Sequence, residues 1–252
     1  MNAYMQRFFF LLSSFLFALS ANADQFDLAA AHLGRSASDL KRDALDHPTD
    51  ILRLTRIAPG MQVADFLGGD GYYSELLSYL VGDKGHVLLI NNAAFDKWSE
   101  PELSTRLAIN RLKNVEHRTL NLNQMNLKLQ TLDAILLSKV YHDLYWVDSE
   151  GVWPKIETAS VLDQLAQALK PGGMLLIIDH AAQIGHGNSD ASSLHRIEDT
   201  FAIKEFGSRG FKLVTRSDLL RNSQDARNQI SYKPPMLGKT DRFVLLLQKT
   251  KP

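Results

Sequence analysis

Two acid–imidazole pairs stand out in the chain, His142-Asp143 and Asp179-His180. Each lies at or just past the end of a short apolar run, Asp133 to Ser138 and Met174 to Ile178. An imidazole titrates near neutrality and can take a proton from an acceptor hydroxyl or amine, which makes His142 the candidate base. Asp143 and His180 are candidate catalytic groups beside it. The structural alternative is that Asp143 caps the following turn while His142 packs or bonds to backbone. With His195 and Asp179, the same residues also offer nitrogen and oxygen donors to a divalent ion. No H-x-H or H-E-x-x-H spacing joins them, so no metal ligand is assigned.

The second chemistry-bearing stretch is Val63-Ala64-Asp65-Phe66-Leu67-Gly68-Gly69-Asp70-Gly71-Tyr72-Tyr73. An apolar run closed by an acid leads into a glycine-dense turn and then a helix-like segment. Such a strand–turn–helix lets backbone approach a ligand and turns free helix N–H groups toward it. Asp65, Gly68, Gly69 and Gly71 are therefore candidate cofactor-binding residues. Asp65 is expected to accept backbone N–H groups of the turn, and Asp70 to cap the helix. Tyr141, Tyr145, Trp146 and Trp153 could line an acceptor pocket or pack helix on sheet. Arg242, next to Asp241, is expected to reach Glu198 or Asp199.

Hydrophobic periodicity supplies the elements that must hold these groups. Short buried strands are expected at Gln62–Phe66, His86–Ile90, Val115–Thr119, Asp133–Ser138, Met174–Ile178, Phe211–Thr215 and Arg242–Gln248. Helices are expected over Thr49–Ile57, Tyr72–Val81, Glu100–Leu112, Glu157–Leu169 and Leu194–Gly207. One or two short ones precede Pro48, with Ser36 and Ser38 as candidate N-caps. Lys170-Pro171-Gly172-Gly173 is expected to form a turn between helix and strand. Strands alternating with helices, and apolar on both faces, imply a mostly parallel sheet wrapped by helices, in a single α/β domain over residues 24–252.

With those elements in order, the chain resembles the class I S-adenosylmethionine-dependent methyltransferases from about Thr49 to Pro252. The glycine turn after Asp65, the strand Asp133–Ser138 and the run Leu169-Lys170-Pro171-Gly172-Gly173 into Met174–His180 carry the likeness. Three further segments, Val140–Tyr145, Leu194–Ile197 and Gly238–Phe243, resemble a family of exported predicted methyltransferases. The resemblance implies a Rossmann-like seven-stranded sheet, mostly parallel with the last strand antiparallel, helices on both faces, and S-adenosylmethionine as cofactor. It also implies that the end of the second strand, here Asn91 and Asn92, faces the cofactor's ribose. Two positions depart from the usual pattern: Leu67 stands where the first turn glycine is usual, and Asn91 where an acid is usual. The implied activity is methyl transfer to a small-molecule acceptor. The alternatives are an exported small-ligand-binding protein on the same fold, or a metal-assisted hydrolase built on His142, Asp143, Asp179 and His180.

Residues 1–23 have a different character. Arg7 precedes the apolar run Phe8–Leu19, and Ala21-Asn22-Ala23 has the small-residue pattern of a cleavage site, so residues 1–23 are expected to be a secretory signal peptide. The apolar run is too short for a span of about 20 residues. A periplasmic or secreted protein is expected, with no stable membrane insertion after cleavage. Absence of cysteine excludes disulfides and thiolate metal sites. The 28 basic residues balance 28 acidic ones with no basic block, which argues against nucleic acid as a partner.

Overall fold

The computed structural model describes residues 24–108 and 111–250. The expected signal peptide lies outside the described residues.

Seven strands form one sheet: β1 (Gln62–Phe66), β2 (His86–Asn91), β3 (Val115–Thr119), β4 (Leu132–Ser138), β5 (Leu169–His180), β6 (Phe211–Ser217) and β7 (Arg242–Lys249). Their spatial order is β3-β2-β1-β4-β5-β7-β6. The strands from β1 to β5 pair in parallel, and β7 runs antiparallel to both neighbours. This is the Rossmann-like methyltransferase sheet anticipated above. The strand order reverses between β1 and β4, and the crevice beyond their carboxyl ends is where open α/β sheets take ligands.

Both faces of the sheet are covered, which is why the strands read as continuous apolar runs rather than alternating ones. Ala64, Phe66, Ile135, Leu137, Leu175 and Ile177 point into one buried layer. Their chain neighbours Val63, Leu136, Leu176 and Ile178 point into the other. Side chains alternate between faces with a period of two, so each strand feeds both cores at once.

The helices are α1 (Gln25–Ala30), α2 (Ala37–Asp46), α3 (Pro48–Thr55), α4 (Tyr72–Val81), α5 (Ala93–Ser99), α6 (Glu102–Leu107), α7 (Thr158–Ala168), α8 (Ala191–Leu194) and α9 (Asp199–Gly207). Ser36 caps α2 by accepting from Asp39 N, whereas Ser38 lies inside that helix. The helix expected over Glu100–Leu112 is the shorter α6. The segment before it folds as α5, capped by Asn92 accepting from Phe95 N. The helix expected over Leu194–Gly207 breaks at His195, and Ile197 bridges to Ala181 before α9 begins.

The run Lys170–Gly173 also differs from expectation. Leu132 pairs with Leu169 and Ala134 with Met174, so the four residues bulge out of the ladder within β5. Gly172, at φ +83, makes that bulge possible.

The N-terminal helices lie across the carboxyl edge of the sheet. Asp46, at the end of α2, accepts from Arg42 Nε at 2.8 Å and Lys139 Nζ at 2.9 Å, and also from Arg242. Arg242 thus reaches back to Asp46, not to Glu198 or Asp199, because α2 brings an acid directly over the start of β7. Burial pushes the Asp46 carboxyl up, but three surrounding cations hold it far below the usual carboxylate range. Arg106 makes a second fastening, joining α2 through Asp39 at 2.7 Å and α4 through Glu75, with its Nε on the carbonyl of Asp70.

Candidate active site

The glycine turn follows β1 and wraps its acid tightly. Asp65 is buried, and its Oδ2 accepts from the Ser74 hydroxyl at 2.7 Å. It does not take the turn's backbone N–H groups as expected, because Gly68 folds directly onto it. A Cβ on Gly68 would lie 2.5 Å from the Asp65 carboxyl and from Leu89. Asp65 Oδ1 has no partner, and burial raises the carboxyl pKa to about 6. Leu67, Gly69 and Gly71 all sit in the left-handed region, with φ of +52, +59 and +80. Leu67 is buried in the core and holds its left-handed conformation with a backbone bond to Ile90 O. Asp70 accepts from Tyr72 N at 3.2 Å, but the N-cap of α4 is Gly71 and no side chain caps the helix, so Asp70 shapes the turn rather than capping as expected.

Asn91 closes this turn against β2. Its Oδ1 accepts from Gly69 N at 3.0 Å, and its Nδ2 donates to Gly69 O and to Asp96, both at 2.9 Å. An acid could accept from Gly69 N but could not donate to Gly69 O, so the amide suits this closed turn. Asn92 spends its Oδ1 on the α5 cap and leaves Nδ2 buried without a partner. Ser138 Oγ, at the end of β4, is also buried and unpartnered. Asp65 Oδ1, Asn92 Nδ2 and Ser138 Oγ therefore leave a free polar atom at the carboxyl ends of β1, β2 and β4. Buried polar atoms without partners cost about 1–3 kcal/mol each. Three at adjacent strand ends mark a place for a polar ligand.

Beyond β4 the chain turns sharply at Lys139, φ +61, and a short 3-10 turn over His142–Tyr145 follows. Asp179 pins this turn to β5. Its Oδ2 accepts from His142 N at 2.9 Å, and its Oδ1 meets His142 Nδ1 at 2.7 Å. On the other side of the ring, His142 Nε2 lies 3.1 Å from Asp143 Oδ1 and 3.3 Å from His195 Nδ1. Burial disfavours protonation of His142, but the carboxylates of Asp143 and Asp179 outweigh it and hold its pKa near 10. His142 is thus an imidazolium near pH 7, with one N–H directed at each acid. It lacks the free lone pair expected of a base. His180 is the opposite case. Burial and the neighbouring charge on His142 keep it neutral, and its Nδ1 bonds to Thr240 Oγ1 at 2.7 Å.

These groups open onto a cavity of about 450 Å³. Phe95 and Trp98 of α5 form one wall, Trp146 and Tyr232 another, and Lys139, His142, Asp143, His180 and His195 supply its polar lining. Trp98 stacks on Trp153 with an interplanar angle of 10°, and His195 packs edge-on to Tyr232 and tilted against Trp146. Of the aromatic residues singled out in the sequence, only Trp146 lines the cavity. Tyr141 and Tyr145 instead share Glu205, and Trp153 packs behind Trp98.

The structure thus gathers His142, Asp143 and His180 around one cavity. Of the predicted cofactor residues, Gly69 approaches the cavity wall, against Phe95 and Ser99, whereas Gly68 packs on Asp65 and Leu89, and Gly71 on Arg106 and Leu89. The four-residue metal set of the hydrolase alternative does not assemble. Asp179 is taken up by the His142 ring and backbone, and His180 faces Thr240. Sequence reasoning missed Lys139, whose burial lowers its pKa to about 8, together with Phe95, Trp98 and Tyr232. Phe95 and Trp98 follow the Asn92 cap in a short stretch whose sequence signal was that cap alone. Tyr232 comes from a loop about 90 residues after Lys139 and carries no local pattern.

No family model matches the sequence. The chain is similar to the ubiquinone/menaquinone biosynthesis C-methyltransferase UbiE of Shewanella sp. (strain W3-18-1), 25% identical over 159 residues. That match covers 63% of this chain and 55% of the relative. The corresponding protein of Shewanella frigidimarina is 28% identical over 161 residues, 64% of this chain and 56% of its own. The chain therefore spans little more than half the length of these curated relatives. Among solved structures, an S-adenosylmethionine-dependent methyltransferase from Aquifex aeolicus superposes with a TM-score of 0.59 at 20% identity. It covers 86% of this chain and all of that one. One from Mesorhizobium loti gives 0.56 at 15% identity, over 81% and 99% of the two chains. The [4+2]-cyclase SpnF gives 0.55 at 14%, over 87% and 84%. The fold is that of class I methyltransferases.

Proposed function

We propose that this protein binds S-adenosylmethionine and transfers its methyl group to a small acceptor held in the aromatic-walled cavity. The observation that carries the reading is the set of free buried polar atoms at the ends of β1, β2 and β4, beside that cavity, at the switch point of a class I methyltransferase sheet. The curated relatives, all named as C-methyltransferases, support it. A binding module or a cyclase on the same fold is the competing reading, since fold and function are separable.

The residues present fit the cofactor. Asp65, Asn92 and Ser138 offer one acceptor, one amide donor and one hydroxyl where no protein group satisfies them. Gly69 keeps the turn open toward Phe95 and Ser99, while Gly71 makes room for the Arg106 side chain. When bound, the cofactor supplies an electrophilic methyl carbon on a sulfonium. The chain's own part is alignment and proton handling. Phe95, Trp98, Trp146 and Tyr232 offer flat apolar surface to a planar or apolar acceptor, and they exclude water from it. Lys139 is the cavity group with a pKa near 8, so it takes the role of proton acceptor that His142 cannot fill. Asp46 holds its ammonium in place, and Arg42 beside it favours the neutral amine. His142, locked between two acids, orients Asp143 rather than titrating.

We also propose that residues 1–23 direct export, leaving a mature chain that starts at Asp24. Among the described residues, no helix is long and apolar enough to cross a membrane. The test of the enzymatic reading is transfer of a labelled methyl group from S-adenosylmethionine to a panel of small quinones, phenols and amines. Labelled product that forms more slowly in Lys139→Met, and at a rate that no longer rises near pH 8, supports it. Binding of the cofactor with no transfer to any acceptor class favours the binding-module reading.

A further inference from the structure

Three ligand-type atoms meet at the base of the cavity. His142 Nε2, Asp143 Oδ1 and His195 Nδ1 form a triangle with edges of 3.1, 3.3 and 3.4 Å. The nitrogen–nitrogen edge, at 3.3 Å, is long for a hydrogen bond. A single proton on His142 Nε2 can serve only one of the two neighbours. Three donors around a tetrahedral zinc ion at about 2.0–2.1 Å would stand about 3.3 Å apart. The triangle has that size on all three edges.

The surroundings match a metal centre as well. His142 turns its other nitrogen to Asp179 at 2.7 Å, the carboxylate–histidine arrangement that fixes ring orientation and tautomer in metal sites. His195 reaches the triangle from a strained left-handed backbone, φ +50, held by Trp146 and Tyr232. All three side chains are buried or nearly so, and the cavity lies in front of them. Two imidazoles and one carboxylate, with a fourth position facing the cavity, are the donor set of an open zinc-type site.

We propose that His142, Asp143 and His195 bind one divalent transition-metal ion of the zinc class, the ion displacing the proton from His142 Nε2 while Asp179 holds the ring through Nδ1. The ion's open position faces the acceptor cavity and takes an oxygen-donor ligand, such as a hydroxyl or enol. Coordination makes that hydroxyl more acidic, and the neutral amine of Lys139, which lines the same cavity, accepts its proton. Only this last role rests on the methyl-transfer reading; the ion site stands on the triangle alone.

The test uses the chain purified without a polyhistidine tag. Elemental analysis of wild type is expected to find about one zinc-class ion per chain. In chelator-stripped protein, added CoCl2 is expected to give the visible bands of a four-coordinate ion. Asp143→Asn and His195→Gln should each lose the ion and those bands, while His180→Ala keeps both. Circular dichroism shows whether the variants remain folded. Asp179→Asn, which leaves the three ligands in place, should weaken cobalt binding about 10- to 100-fold. Wild-type protein that is free of metal and leaves cobalt with its six-coordinate aqueous spectrum overturns the proposal. So does full occupancy in folded His195→Gln. Neither result bears on cofactor binding, which is measured separately with the adenosyl ligands, so the two readings fail independently.

Discussion

Asp65→Asn should change how stability depends on pH, and the size of the change follows from the acid's surroundings. Asp65 is 1% exposed, accepts one hydroxyl bond, and leaves Oδ1 without a hydrogen-bond partner, the charge of Arg42 opposing burial only weakly. Burial therefore raises its pKa from 3.8 to about 6 in the folded chain. The folded state then binds more protons than the unfolded state between about pH 4 and 6, so stability falls as pH rises through that window. Two units at 1.36 kcal/mol each give about 3 kcal/mol of stability lost by pH 7. Asparagine keeps the shape and cannot ionise, so that loss disappears in the variant. Burying its amide has its own cost of about 1–3 kcal/mol, but that cost does not vary with pH. The diagnostic quantity is the difference between variant and wild type at two pH values. Urea unfolding at about pH 4 and pH 7.5 should show that difference shift by about 3 kcal/mol in favour of Asp65→Asn at the higher pH. Parallel behaviour of the two proteins across that range would refute the account of Asp65 as an uncompensated buried acid.

Other outcomes follow from single contacts. Methyl transfer should rise through an ionisation near pH 8 that is lost in Lys139→Met, measured as a pH–rate profile. In chelator-treated protein the ring protons of His142, followed by NMR, should not titrate between about pH 6 and 8. The stability His142 contributes is complete below its unfolded pKa of about 6.5, falls as pH rises from there, and is gone above about 10. Arg196 is fully buried on Asp225 and two backbone carbonyls, so Arg196→Met should cost about 3–5 kcal/mol in urea unfolding by leaving the buried Asp225 charge with only two backbone N–H groups and no cation in contact. N-terminal sequencing of protein from the native host should begin at Asp24.

Much of the fold was legible because its strands are buried on both faces. Gln62–Phe66 and Val115–Thr119 occupy the predicted positions, as does helix Tyr72–Val81, since apolar runs bounded by glycine or polar turns leave little freedom in assignment. The bulge at Lys170–Gly173 was not legible, because a proline–glycine run looks the same whether it ends a ladder or loops out of one. In the site, the strand-end residues could be named from sequence, since the α/β architecture places them at one edge. Their protonation could not. Whether His142 is a base or an imidazolium depends on Asp179, 37 residues away, closing on its ring. Lys139 was passed over for the same reason: its lowered pKa arises from burial under a helix that ends at Asp46. The Asn91 amide looked like a weakened ribose contact. In the folded chain it bonds both backbone groups of Gly69, a pairing visible only once β2 and the turn lie side by side.

The central claim is that the strand-end polar atoms and the neighbouring cavity hold an adenosyl cofactor. Isothermal titration of the purified chain with S-adenosylmethionine and S-adenosylhomocysteine tests it directly. Saturable binding of both ligands near one per chain is predicted, together with marked weakening in Ser138→Ala, which removes the free hydroxyl and adds no bulk. No heat from either ligand at millimolar concentration, with the protein folded by circular dichroism, would contradict it.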